Sequence, residues 1–200
     1  MDSILYIFTV GILIILLLLG RLFFLRSPKR FIPNGPFILS PADGRIIEIA
    51  TFNKPKNAKR GKNIIRDNES NSGIMISIFL SLFDVHYQRA PVEGTVSALN
   101  YIPGHHFPAL STKAETNERN EILVYNEELG QIKIIQTAGI LARRIRCFVN
   151  QGDRIQKGQI IGLIKFGSRV TFFFPEAQLK IKKGQKVKAG QTIIAEYKPT

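Results

Sequence analysis

The chain is poor in the residues that build disulfide frameworks and metal centres. It has one cysteine, Cys147, and three histidines, His86, His105 and His106, in 200 residues. A single cysteine excludes an internal disulfide and any multi-cysteine metal site. In the apolar run RIRCFV, Cys147 is predicted to be a small buried residue rather than a nucleophile. The spacing shows no carboxylates converging on the histidines, so no metal site is predicted.

Acidic residues are also scarce. The chain has 15 of them against 28 lysines and arginines, and its net charge is +13. Such an excess predicts an anionic partner, either nucleic acid or a membrane surface rich in acidic lipid. The insertion at residues 53–72 holds six basic residues and is interpreted as a solvated loop, as a tether to anionic lipid, or as both. Its basic positions lack an interleaved aromatic platform, so nucleic acid is not predicted as a partner.

Charge is absent from residues 3–20, and this run is about as long as a membrane-spanning helix requires. Only Met1 and Asp2 precede it, so it lacks the basic start of a cleavable signal peptide. We therefore predict one uncleaved transmembrane anchor over residues 1–25 and a second domain over residues 26–200. The positive-inside rule places that domain on the cytoplasmic side of the cell membrane. The basic residues that follow the run are Arg21, Arg26, Lys29 and Arg30.

Beyond the anchor, short β-branched and aromatic runs alternate with turns rich in Gly, Pro, Asn and Asp. This pattern predicts a mainly β domain, a barrel or a sandwich. Long helical periodicity is missing, and residues 138–148 fit one helical turn or a further strand. The predicted strands cover residues 44–50, 73–80, 94–99, 121–126, 131–139, 159–166 and 170–174.

Two pairs of similar segments form a weak internal repeat. GDRIQKGQIIG begins at Gly152 and GQKVKAGQTIIA at Gly184, while SPADGRI (40–46) and APVEGTV (90–96) share the pattern P-x-[DE]-G-x-[IV]. Each combines a turn with a strand. Such repeats suit a barrel-sandwich like that of lipoyl and biotinyl domains. Those carriers present a lysine at a hairpin tip, whereas FGSRV lies between the halves here.

Three features are candidates for chemistry. Gly167-Ser168 interrupts two strand-like runs, either as a bulge or as a reactive peptide bond. Asp84 stands two residues before His86, where a carboxylate could raise the imidazole pKa and prepare it for proton transfer near neutral pH. Asp43 in SPADG is most simply a turn residue.

Arginines and one polar motif complete the set of candidates. Arg143 and Arg144 are adjacent in an apolar context, and strand alternation would let one of them bind a phospholipid phosphate. ETNERN (115–120) is interpreted as a polar loop.

Together these motifs resemble a known family. In order along residues 24–195, the chain is similar to the short form of the phosphatidylserine decarboxylase family, which includes archaetidylserine decarboxylases. The motifs are FLRSPKRFIP, SPADGRI, FLSLFDVHYQRAPVEGTV, YIPGHHFPA, NERN, QTAGILARRI, GDRIQKGQIIGLIKFGSRV and GQKVKAGQTIIA.

The resemblance implies that the precursor cuts itself at Gly167-Ser168. The Ser168 hydroxyl would attack the Gly167 carbonyl and shift the acyl group from nitrogen to oxygen. β-Elimination would leave dehydroalanine, which hydrolyses to a pyruvoyl group and ammonia. A β chain (1–167) and an α chain (168–200) would result. The pyruvoyl ketone would form a Schiff base with the serine lipid and act as electron sink, with neither pyridoxal phosphate nor a metal.

The resemblance also implies roles for Asp43 and His86, in self-cleavage and proton transfer. The sequence departs from the longer members of the family at Arg89, where they have a second histidine. Their charge-relay triad therefore does not carry over intact. FGSR likewise replaces LGST. Arg89, Arg143 and Arg144 are candidates for substrate binding.

The expected activity is decarboxylation of phosphatidylserine to phosphatidylethanolamine. Two alternatives stay open at this point. One is an archaetidylserine decarboxylase, which would share the head group, and the other is a non-enzymatic, membrane-anchored barrel-sandwich adaptor. The oligomeric state is left open as well.

Overall fold

The structure is a computed structural model that describes residues 6–15, 20, 25–53, 72–140, 145–164 and 167–198. Residues 6–15 are helical, and a 3-10 helix covers Thr112–Thr116. The strands of the described chain are β1 (Phe37–Leu39), β2 (Gly44–Asn53), β3 (Ser72–Leu80), β4 (Tyr87–Arg89), β5 (Gly94–Ile102), β6 (Arg119–Asn126), β7 (Gly130–Thr137), β8 (Ile145–Cys147), β9 (Arg154–Ile155), β10 (Ile160–Ile164), β11 (Ser168–Phe174), β12 (Gln178–Leu179), β13 (Lys186–Val187) and β14 (Ile193–Glu196).

The strands form one large curled antiparallel sheet and two small ones. The large sheet has the order β13-β2-β3-β11-β7-β6-β5-β9, and the small sheets have the orders β1-β14-β12 and β4-β10-β8. Side chains alternate between the faces of a strand, so one face of the large sheet supplies most of the core. Ile76, Ile134 and Phe172 are fully buried there. The other face includes a buried ion pair, Lys133 Nζ to Glu121 Oε2 at 3.0 Å.

The repeated sequence segments form two equivalent units, and each unit donates backbone hydrogen bonds to the other. The Leu39 amide donates to the Pro91 carbonyl, and the Arg89 amide donates to the Pro41 carbonyl, both at 2.9 Å. Gly190 N to Ser40 O (2.8 Å) and Gly158 N to Ala90 O (2.9 Å) form a second equivalent pair. Ser40 N to Thr192 O (2.9 Å) matches Ala90 N to Gln159 O (2.8 Å) with a shift of one residue, because the second copy has one extra residue after Gln191. The match gives the fold a local pseudo-twofold symmetry.

The glycine of P-x-[DE]-G-x-[IV] has the same task in both copies. Gly44 and Gly94 begin β2 and β5 with φ of 148° and 157°. A Cβ on either would overlap a carbonyl oxygen of the neighbouring strand, that of Phe79 or of Tyr125. Only glycine combines this backbone angle with so close an approach. The turn prediction at these segments is therefore confirmed.

The sequence prediction of a mainly β domain is confirmed, and each of the seven predicted strands has its counterpart among β2, β3, β5, β6, β7, β10 and β11. Part of the ambiguous segment 138–148 is strand β8, while residues 141–144 lie outside the described residues. Cys147 is half-buried against the core. The closer likeness to lipoyl domains stays a prediction.

No helix among the described residues is long and apolar enough to cross a membrane. Residues 1–5, 16–19 and 21–24 of the anchor predicted over residues 1–25 lie outside the described residues. Arg143, Arg144 and residues 54–71 of the basic insertion lie outside the described residues.

Candidate active site

The residues predicted to carry chemistry gather at one end of the large sheet. Ser168, the first residue of β11, lies opposite Leu80, the last residue of β3. The β2–β3 register continues to Gly44, which follows Asp43 and is the neighbour of Leu80. Two strand spacings, about 10 Å, therefore separate the backbones of Gly44 and Ser168. On the other side of β11, the register with β7 continues to Ala138.

Two backbone contacts connect the segment of His86 to the same end of the sheet. Six residues after Leu80, the His86 carbonyl accepts a hydrogen bond from the Ile164 amide at 3.3 Å. Four residues after Ile164 the chain reaches Ser168, which pairs back with Leu80. His86 and Ser168 lie 82 positions apart in the sequence. The Ser168–Leu80 pair and the hydrogen bond from Ile164 to His86 connect the segments that contain them.

The Ser168 side chain is fully buried, and its Oγ has no hydrogen-bond partner among the described residues. A buried hydroxyl without a partner costs roughly 1–3 kcal/mol, so its retention calls for a reason. Gly167 before it has φ of 59°, in the left-handed region that glycine adopts readily. The Gly167-Ser168 peptide bond at the start of β11 thus lies between a glycine with positive φ and a serine whose hydroxyl has no partner among the described residues.

His86 is fully buried, and its pKa is lowered to about 4 because burial disfavours the imidazolium. A hydrogen bond to the Asp84 backbone and the Asp84 charge act in the opposite direction but do not offset burial. The prediction that Asp84 raises the His86 pKa toward neutrality is therefore wrong in its net result. The Asp84 carboxylate is engaged elsewhere, accepting hydrogen bonds from the Ser81 amide at 2.8 Å and the Ser81 hydroxyl at 2.7 Å.

Asp43 is buried in the turn before β2, where two groups hold its carboxylate with three hydrogen bonds. Arg30 Nη2 donates to both oxygens at 2.8 and 3.1 Å, and the Ala189 amide donates to Oδ1 at 2.8 Å. The pKa of Asp43 is nevertheless raised above its usual value, because burial outweighs these partners. Gln191 accepts a hydrogen bond from Arg30 Nη1 at 2.9 Å, which fixes the arginine in turn.

Arg89 lies between the two repeat units. Its Nη1 donates to the Gly158 carbonyl at 2.8 Å, and its Cδ lies beside Gly190. Burial lowers the pKa of Arg89. Among the described residues, no hydrogen bond or ion pair joins Arg89 to Ser168, and the part of Arg89 in substrate binding stays a prediction.

The interpretation of ETNERN (115–120) as a polar loop is wrong for its last four residues, the NERN motif. Asn117 and Glu118 are buried, and the motif runs into β6 at Arg119. Asn117 Nδ2 donates to the carbonyls of Phe107 and Ala138, both at 2.8 Å. It thereby ties the end of β7, next to Ser168, to the preceding loop.

A chain of buried amides was also missed. Asn120 Nδ2 donates to Gln136 Oε1 at 2.9 Å, Gln136 Nε2 donates to Gln88 Oε1 at 2.8 Å, and Gln88 Nε2 donates to the His86 carbonyl at 2.7 Å. A continuous network of this kind fixes the backbone on which His86 stands. The available signal was that each amide occurs in a strand-like run where its side chain falls on the core face.

Among the described residues, no group of three or more His, Cys, Asp or Glu side chains could hold a metal ion.

The fold and the site define a class: a mainly β protein with a serine, a histidine and an aspartate brought to one end of a curled sheet.

Comparison with known proteins identifies the family. The family model for phosphatidylserine decarboxylase matches residues 20–195. The chain belongs to the phosphatidylserine decarboxylase family.

Relatives from several bacteria support this membership, each of them named phosphatidylserine decarboxylase proenzyme. The Carboxydothermus hydrogenoformans protein is 42% identical over 195 residues, which cover 96% of this chain and 86% of that relative. The Desulfotalea psychrophila protein is 39% identical over 178 residues, covering 88% and 78%. The Erythrobacter litoralis protein is 43% identical over 188 residues, covering 90% and 74%.

Proposed function

We propose that this chain is a proenzyme that splits itself between Gly167 and Ser168 and then decarboxylates phosphatidylserine to phosphatidylethanolamine. The observation that carries the proposal is the buried Ser168 Oγ, which has no hydrogen-bond partner in the described part of the chain and follows a glycine with positive φ. A buried polar group that lacks a partner calls for an explanation, and a part in the reaction supplies one. The relatives' shared name, proenzyme, agrees with a chain that is made in an inactive form.

The surroundings of Ser168 fit a pyruvoyl group formed from that residue. After cleavage residue 168 would begin the α chain, and β11 would still be held between β3 and β7. The new terminus would therefore stay fixed at the end of the sheet. Such a group, once formed, supplies an electron sink for loss of carbon dioxide. The protein's part is to orient the lipid amine, exclude water and move protons.

We assign the proton transfers to His86. With a pKa near 4 its imidazole is neutral at physiological pH, so it is able to accept a proton. Asp43 and its partner Arg30 lie at the same end of the sheet and would set the local charge. Arg89 stands where longer members have a second histidine, so the assignment rests on His86.

The same end of the molecule exposes apolar side chains. Leu82 and Phe83 are 46% and 76% exposed in the loop after Leu80, while Leu110 and Ile140 are 61% and 58% exposed near the other side of Ser168. Arg26 joins the N-terminal segment to this rim by donating to the Phe83 carbonyl. An apolar rim around the reactive end suits an enzyme whose substrate lies in a bilayer.

We therefore place the protein at the cytoplasmic membrane, with residues 1–25 as its anchor and the catalytic domain on the cytoplasmic side. The supporting features are the uncharged run at residues 3–20, the basic residues after it, and the net charge of +13, which favours an anionic membrane surface.

The test is decarboxylation of phosphatidylserine in mixed vesicles by purified protein, with Ser168→Ala as the matched variant. The wild-type chain should release carbon dioxide, and Ser168→Ala should remain one chain without activity. Turnover of archaetidylserine but not of phosphatidylserine would show that the ether lipid is the substrate. A wild-type chain inactive on both lipids and never split would support the adaptor instead.

A further inference from the structure

Gly139 lies directly against the peptide bond that is proposed to break. The β11–β7 register pairs Arg169 with Thr137, and its continuation by two residues brings Gly139 opposite Gly167. A Cβ added to Gly139 would overlap the Gly167 carbonyl oxygen and would lie 2.9 Å from the Gly167 carbonyl carbon. The next neighbour of that Cβ, the Ala109 Cβ, is at an ordinary 3.7 Å. The space that a side chain would need at residue 139 is thus taken up by the Gly167 carbonyl.

The backbone angle does not explain the glycine at this position. The φ of Gly139 lies outside the left-handed region that disfavours other residues, in contrast to Gly167, Gly44 and Gly94. Alanine could adopt the conformation of residue 139, so close approach is the requirement that glycine meets there.

Neither side of this contact can move cheaply. The Ala138 amide donates to the Glu118 carbonyl at 2.9 Å, and the Ala138 carbonyl accepts from Asn117 Nδ2 at 2.8 Å. On the opposite side, Ser168 is held in the ladder with Leu80. The buried residues Asn117 and Glu118 therefore hold the backbone next to Gly139, which contacts the Gly167 carbonyl.

We propose that Gly139 is a positioning residue for self-cleavage, and this inference rests on the proposed function. Its bare Cα forms a cradle that sets the orientation of the Gly167 carbonyl toward the Ser168 hydroxyl. When the hydroxyl attacks, the carbonyl carbon becomes tetrahedral and its oxygen must swing out of the peptide plane. A methyl group in the cradle displaces the carbonyl before attack and fills the room for that movement.

The experiment compares Gly139→Ala with Gly73→Ala. Gly73 is the matched control, because its Cβ would overlap the carbonyl oxygen of Phe174, the last residue of β11, and its φ is also outside the left-handed region. Both substitutions thus press on a carbonyl at an end of the same strand, and only one end carries the Gly-Ser bond. The folded, monodisperse fraction of each precursor is isolated, and the appearance of the α chain is followed by mass spectrometry.

Gly139→Ala should split about 100-fold more slowly than wild type, the usual effect of a misplacement of about 1 Å at a reacting centre. Gly73→Ala should split at close to the wild-type rate. Hydroxylamine, which cleaves an ester, should release no fragments from Gly139→Ala, since the block precedes the acyl shift. Melting temperatures of both changes in the uncut Ser168→Ala background report the purely structural cost, which should be similar.

If Gly139→Ala yields no folded fraction, the Ala109→Gly change is added to give the loop room, and the double variant is assayed in the same way. Wild-type cleavage rates in Gly139→Ala or the double variant, or equal slowing by Gly73→Ala, would overturn the inference and leave the proposed function intact. A wild-type chain that never splits would instead remove the proposed function itself.

Discussion

Burial decides the protonation state of His86. The imidazole is fully buried, and loss of water outweighs the favourable charge of Asp84, so its pKa falls to about 4. A histidine that is neutral at pH 7 serves first as a proton acceptor. This agrees with the proposal that His86 takes the proton of the Ser168 hydroxyl during self-cleavage.

The lowered pKa predicts a pH-dependent stability. Between about pH 6.5 and pH 4 the unfolded chain binds a proton at His86 that the folded chain does not, so stability should fall as the pH falls through that range. The shift corresponds to at most about 3 kcal/mol. Urea unfolding of the Ser168→Ala precursor at pH 7.5 and pH 4.5 measures this loss.

The control for that measurement is the same precursor with His86→Gln, which cannot take up the proton. Its loss of stability between the two pH values should be smaller by about the same 3 kcal/mol. An identical loss in both precursors would show that other groups cause the acid sensitivity.

Two copies of one turn-and-strand element hold different residues in equivalent places. Asp43 in SPADG is buried and paired with Arg30, whereas Glu93 in APVEG is exposed. The repeat therefore builds two similar corners, and only the corner with Asp43 adjoins the row that contains Ser168. This asymmetry separates a structural role of the element from a role at the site.

We expect Asp43→Asn to destabilise the precursor by roughly 3 kcal/mol, because it leaves the buried Arg30 without its counter-charge. It should also slow the splitting of the chain. Glu93→Gln, the equivalent change in the other copy, should alter stability by no more than about 0.5 kcal/mol. Urea unfolding in the Ser168→Ala background gives the stabilities, and gel time courses give the rates. Equal effects of the two changes would refute a special role for Asp43.

Strand elements were largely predictable from the sequence, because alternation and turn residues are local signals. The glycines of the repeat likewise predicted the turns in which they lie. For the candidate site, Ser168, His86 and Asp43 were predicted only as separate residues, and the paired strand ends that lie between their segments were not predicted. The NERN segment was misjudged because burial of polar side chains depends on partners distant in the chain, here Phe107 and Ala138. The sign of the His86 shift failed for the same reason, since desolvation is a property of the packed core.

At the scale of the whole molecule, the reactive end and the apolar rim coincide. Leu82 and Phe83 follow the strand that pairs with Ser168, and Ile140 follows Gly139. A positive net charge would draw this molecule to acidic lipid, and the rim would then face the bilayer. Substrate would reach the site without leaving the membrane environment completely.

This orientation predicts that Phe83→Ser weakens binding of the protein to anionic vesicles by about tenfold, since burial of a phenylalanine contributes roughly 1.5–3 kcal/mol. Tyr125→Ser is the control, because Tyr125 is 45% exposed near the other end of β6 from the site. Vesicle co-sedimentation compares the two variants with wild type. Equal binding by Phe83→Ser and Tyr125→Ser would contradict the proposed orientation.

The most direct test of the central claim is the mass of the purified wild-type protein under denaturing conditions. Self-cleavage predicts two chains, residues 1–167 and residues 168–200, the second of 33 residues with a blocked, pyruvoyl N-terminus. Ser168→Ala should show the single mass of the full chain. An intact wild-type chain of 22.5 kDa that retains Ser168 and never splits would contradict the account.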